Sequence, residues 1–116
     1  MKSHPLLAVL VSAVVAAGVW LFSAHFTGNP EPWDGSMSYY LGGLFVAGFV
    51  SALVTPSPMW GHYVGAWLGQ VVYMFANGAG ALIMVGILVA ALYSLVALLG
   101  AVAALATRYA LMPKRN

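Results

Sequence analysis

With 116 residues, 63% of them hydrophobic and 5% charged, the chain lacks the charged surface of a water-soluble domain, typically about a quarter of its residues. Its net charge of +2 rests on four basic residues, too few and too dispersed to hold nucleic acid. The absence of cysteine excludes disulfides, thiolate metal sites, iron–sulfur ligation and cysteine nucleophiles.

The first predicted span runs from Pro5 to Phe26. With Lys2 ahead of it, this segment has the outline of a secretory signal. Its apolar run, Leu6 to Phe22, exceeds the usual signal core of about 7–15 residues, and Phe22-Ser23-Ala24 is a poor cleavage site. Retention as a membrane helix is therefore the expectation. Residues 27–36 follow, dense in turn formers and helix breakers, with Asp34 or Ser36 placed to cap the next helix. The second span is predicted from Met37 to Thr55 and stops at Pro56-Ser57-Pro58, a connection that cannot continue a helix. The third covers Met59 to Ala76. A tight turn at Asn77-Gly78-Ala79-Gly80 leads to the fourth, residues 80–107, long enough to tilt or to project past the bilayer surface. Each span needs roughly 20 apolar residues, so four fill the chain. The fold class expected is an all-α integral membrane protein, residues 1–116 forming one compact four-helix transmembrane domain.

Charge placement orients that bundle. Lys2 flanks the first span, whereas Arg108, Lys114 and Arg115 flank the fourth. An even number of spans puts both termini on one side, and the positive-inside rule makes that side cytoplasmic. Glu31 and Asp34 then lie in an external loop. The implied location is a bacterial cytoplasmic (inner) membrane. Trp20, Phe22, Phe26, Trp33, Tyr39, Tyr40, Tyr73 and Phe75 gather near external span ends, and Trp60, Tyr63 and Tyr109 near cytoplasmic ones, as aromatic belts do. The halves show no internal repeat of the transporter type.

In lipid, helices associate through close backbone contact, and glycines four residues apart permit it on one face. Gly61, Gly65 and Gly69 form such a stripe in the third span. Gly43, Ala47 and Ser51 offer a second in span two; Gly86, Ala90 and Ser94 a third in span four; Ser12 and Ala16 a fourth in span one. Two uses are open to these faces, packing within the bundle or docking of other subunits, with span three the favoured docking face.

The third span also carries the densest polar set. At 100° per residue, His62, Gln70, Tyr73 and Asn77 share roughly a quadrant. Gln70 lies at a depth where an amide needs an interhelical partner, with Tyr93, Ser94 and Ser51 as candidates. The stripe is either structural glue or, with Gln70, Tyr73, Asn77 and Ser94, the lining of a small-solute path. Of the three histidines, His4 and His62 form the pair at similar depth, with His25 near the opposite face. Haem or a chlorophyll-type pigment would use these imidazoles, but His4 is a loose platform, and no cofactor or metal is expected.

Glu31 and Asp34 are the whole carboxylate supply and read as solvated loop charges. No G-x-S-x-G elbow occurs, and no acid sits inside a span for proton-coupled transport. An enzyme is not expected. The function these residues point to is a small non-catalytic membrane subunit that docks on or stabilises a larger membrane complex through close-packing Gly/Ala faces. Its partners would be the lipid bilayer and larger membrane-protein subunits or further copies of itself. The alternatives are a small oligomeric channel or transporter lined by the span-three stripe, and a haem- or pigment-binding subunit.

Overall fold

A computed structural model describes residues 4–28, 32–56, 58–77 and 83–112, with Trp33 and Asp34 described by backbone alone. Lys2, Glu31, Ser57, the turn at 78–80, the first residues of the fourth predicted span, Lys114 and Arg115 lie outside that set. Every regular element among the described residues is an α-helix. In chain order they are α1 (Pro5–Leu21), α2 (Ser23–Thr27), α3 (Pro32–Gly35), α4 (Met37–Val54), α5 (Met59–Ala76), α6 (Ile83–Tyr93) and α7 (Leu95–Leu111).

Local chemistry sets most of these boundaries. Pro5 occupies the first turn of α1, where its missing N–H costs nothing. Ser36 caps α4, its Oγ accepting from Tyr39 N at 3.2 Å. Thr55, forced extended by the proline after it, ends α4, and Pro58 precedes α5. Gly28 closes α2 in the left-handed conformation at φ 78°, which only glycine adopts without strain.

Two helical runs are long and apolar enough to cross a membrane, Met37–Val54 with 18 residues and Ile83–Leu111 with 29. The other two predicted spans differ from expectation in instructive ways. The first is interrupted at Phe22, leaving α1 with 17 residues. There Tyr39 Oη donates to Val19 O at 2.6 Å, the carbonyl that an unbroken helix would offer to Ser23 N. The third, α5, has 18 residues but dilutes its apolar content with His62, Gln70, glycines and aromatics. A further interruption falls at Ser94, between α6 and α7.

The helices interlock as two parallel pairs. Helix α1 lies along α5, and α4 lies along α7, with α1 also against α4. The α5 glycine stripe makes the first pairing. A Cβ on Gly61 would stand 2.8 Å from Ala8 Cβ, one on Gly65 2.8 Å from Ser12 Cβ, and one on Gly69 2.9 Å from Ala13 Cα. The second pairing is closer still. A Cβ on Gly48 would fall onto the Ala97 carbonyl, and one on Gly100 onto the Phe45 carbonyl. Such backbone-to-backbone packing brings many atom pairs into dispersion contact along each helix pair. Beyond that crossing, Arg108 Nη1 donates to Leu53 O at 2.8 Å, placing a cation at the carbonyl end of α4.

Candidate functional site

The polar groups of the helices converge at two levels of the bundle interior, each level drawing on several helices. Gln70 centres one level and is fully buried. Its Oε1 accepts from Trp20 Nε1 of α1 at 3.0 Å and from Tyr40 Oη of α4 at 2.5 Å. Its Nε2 donates to Ser94 Oγ, at the α6–α7 junction, at 2.8 Å and to Ala66 O of its own helix at 3.2 Å. A primary amide has two donors and a doubly accepting oxygen, so this side chain is saturated. One glutamine therefore ties together α1, α4, α5 and the junction of α6 with α7. Aromatic rings surround it. Trp20 meets Tyr40 edge-on at 6.4 Å and Tyr73 at 6.0 Å, and Tyr93 meets Tyr40 edge-on at 5.4 Å.

His62, also fully buried, anchors the other level two turns away on α5. Ser12 Oγ of α1 donates to His62 O at 2.6 Å. Ser51 Oγ of α4 lies 2.6 Å from His62 Nδ1 and 3.0 Å from Ala8 O, and His62 Nε2 faces Pro56 O at 3.5 Å. The two levels share one register. Ser12 to His62 and Trp20 to Gln70 each join residues 50 apart in sequence, as parallel helices in register must.

The predicted site residues separate into inner and outer groups. Gly61, Gly65 and Gly69 are buried against α1 of the same chain. Gly43 faces Val19, whose Cγ2 would lie 2.5 Å from an added Cβ, and Gly86 is buried. Their close-packing faces are thus occupied within the chain. Gln70 and Ser94 are brought into direct contact, and the Tyr73 ring packs against Trp20, a donor to Gln70. Asn77 is not. It is exposed, and its Nδ2 donates to Tyr73 O at 2.9 Å, finishing its own helix. Ser51, a candidate partner for Gln70, bonds instead at the His62 level, and Tyr93 contributes its ring rather than a hydrogen bond to the amide.

The histidines do not converge on a common ligand position. Both His62 ring nitrogens point at protein atoms, Ser51 Oγ and Pro56 O. His4 is exposed ahead of α1, and His25 is exposed with its ring 5.1 Å from that of Phe26. Among the described residues no group of three His, Cys, Asp or Glu is placed to hold a metal ion.

Trp20 and Tyr40 were expected at the headgroup level and lie inside instead, 4% and 0% exposed. The physical reason is Gln70: a buried amide oxygen needs donors, and an indole N–H and a phenol O–H supply them while filling space with apolar ring. Tyr63 and Trp67 are likewise drawn inward, donating to Ala91 O at 2.7 Å and Ile87 O at 3.1 Å of α6. Phe22, Phe26, Trp60, Phe75 and Tyr109 are exposed. A signal for the two levels was present in the spacing. Ser12 and Trp20 on α1 and His62 and Gln70 on α5 each stand eight residues apart, about 12 Å of helix rise.

Among the described residues, every buried side-chain nitrogen or oxygen has a hydrogen-bond partner. What the arrangement does chemically is close itself. Comparison with protein-family models, with curated proteins and with solved structures finds no match to this chain.

Proposed function

We propose that the chain is a four-span membrane protein with both termini cytoplasmic, in a bacterial inner membrane, acting as a non-catalytic subunit that docks on a larger membrane complex. The observation that carries this reading is an inverted distribution of polarity. Ser12, Ser51, His62, Gln70 and Ser94 are wholly buried, while Leu6, Val14, Trp60, Val72, Leu88 and Leu99 are each more than half exposed. Water would reject that exterior, whereas hydrocarbon accepts it and demands internal pairing of the polar groups. The first and third spans then cross as members of the bundle, with the polar atoms of α5 shielded by α1 and α4.

The exterior supports the subunit role. Of the groups that would line a solute path, Gln70 and Ser94 bond to each other inside one chain, and Asn77 donates to Tyr73 O of its own helix. The glycine stripes are filled by neighbouring helices of the same chain, so docking falls to the large apolar side chains of the outer surface. Arg108 bonds the carbonyl of Leu53 at the C-terminal end of α4, while α3 precedes the N-terminal end of that helix, in keeping with positive-inside topology.

Purification in mild detergent at native expression tests the role. The expected result is recovery with a larger membrane protein at fixed stoichiometry, retained after reconstitution into nanodiscs. A self-contained homo-oligomer that moves solute across liposomes contradicts it.

A further inference from the structure

The fourth helical run changes character halfway along. Helix α7 is clamped to α4 by the Gly48 and Gly100 backbone contacts, whereas α6 packs chiefly on α5, with Ile83 and Ala90 on the core and Tyr93 on Tyr40. At the junction the backbone ladder shifts its reach: Ser94 N bonds Ala90 O at 2.9 Å, but Ala97 N bonds Ser94 O at 3.0 Å, three residues back. A short tightened turn inside a long helix is a recurrent hinge feature. Tyr63 Oη donates to Ala91 O, the carbonyl that an uninterrupted helix would direct to Leu95 N. At the pivot itself, Ser94 Oγ is held by Gln70 Nε2 at 2.8 Å.

We propose that α6 is a hinged half-helix that pivots at Ser94, where the Gln70–Ser94 hydrogen bond holds the pivot, and that Tyr63 and Trp67 hold its length against α5. Three separate observations converge on it: the changed ladder, the unequal packing on either side of Ser94, and the polar tie at the break. Its C-terminal end is fixed by Tyr93 on Tyr40 and by Ser94 on Gln70. Among the described residues, Trp67 on Ile87 O is the outermost hydrogen-bonded tie, so the amplitude of movement grows towards Ile83, whose core contact the swing would open. The wall that swings away is the one beside the Gln70 level. Hinge motions of packed helices fall in the microsecond-to-millisecond range. The hinge belongs to one chain alone and so stands apart from the docking role.

The absence of native cysteine makes the test direct. Spin labels at Val14→Cys on α1 and Leu88→Cys on α6 report the half-helix; labels at Val14→Cys and Leu99→Cys report α7. These three positions are 71%, 70% and 63% exposed, so the labels displace no core. In nanodiscs, Ser94→Ala is expected to widen the Val14–Leu88 distance distribution about twofold and leave the Val14–Leu99 distribution unchanged. Tyr63→Phe, which removes a tie without touching the hinge residue, is expected to widen the same pair to a lesser degree. Failure of Ser94→Ala to widen the α6 distribution overturns the proposal. Equal widening of both distributions overturns it too, since that would be loosening of the whole bundle.

Discussion

Gly48→Ala and Gly100→Ala are each expected to destabilise the fold by about 1–3 kcal/mol, the usual cost of forcing extra carbon into a packed interior. Each adds a single methyl, yet that methyl lands on the carbonyl group of the facing helix, Ala97 or Phe45. Backbone cannot swing aside as a side chain does, so the α4–α7 pair must part along its length. Two glycines provide the internal standard. At Gly18 and Gly42 an added Cβ meets nothing within 4 Å, and glycine inside a helix is less favourable than alanine by roughly 0.5–1 kcal/mol. Gly18→Ala and Gly42→Ala are therefore expected to leave stability unchanged or raise it. Unfolding in mixed micelles measures all four, and a common sign across the set would refute the close-approach assignment.

Gln70→Leu is expected to cost about 2–4 kcal/mol. The substitution withdraws in one step the acceptor for Trp20 Nε1 and Tyr40 Oη and the donor to Ser94 Oγ. Interhelical hydrogen bonds in membranes average about 0.6 kcal/mol and reach roughly 1.7, while a buried group deprived of its partner costs about 1–3 kcal/mol. Three such bonds lost together give the stated range. A double-mutant cycle makes the assignment specific. Tyr40→Phe should destabilise the unaltered chain by more than it destabilises the Gln70→Leu variant, because the bond it removes is already gone there. Additive losses in the two backgrounds would mean that the 2.5 Å contact between Tyr40 and Gln70 contributes nothing to stability.

Helix ends were legible in the sequence wherever a residue carries its own backbone instruction. Ser36, Thr55 with Pro56, and Pro58 delimit α4 and α5 within a residue of the predicted Met37–Thr55 and Met59–Ala76. The interruptions at Phe22 and Ser94 were not legible, because neither involves glycine or proline. The break at Phe22 coincides with a donor arriving from another helix, and the one at Ser94 is held by an amide from α5; such tertiary causes leave no mark in the interrupted segment. The partner of α4 was equally hidden, because a helix apolar on nearly every side carries no amphipathic stripe to declare which face turns inward.

Small residues told more than large ones, and Gln70 told most. Its isolation in an apolar run required interhelical partners, and Ser94 is one of them. Trp20 and Tyr40 were harder to identify because amphipathic aromatics suit both the headgroup region and a buried amide. Sequence position near a helix end does not choose between those roles. Burial does.

In the proposed bundle lipid surrounds the apolar exterior while the Gln70 and His62 levels stay inside. Cysteine accessibility in intact cells tests this most directly, with single cysteines at the exposed positions His25, Asn77, His4 and Met112. An impermeant maleimide should label His25→Cys and Asn77→Cys from outside, and His4→Cys and Met112→Cys only after the membrane is opened. Labelling of all four alike, or recovery of the chain from the detergent-free aqueous fraction, would contradict the four-span bundle.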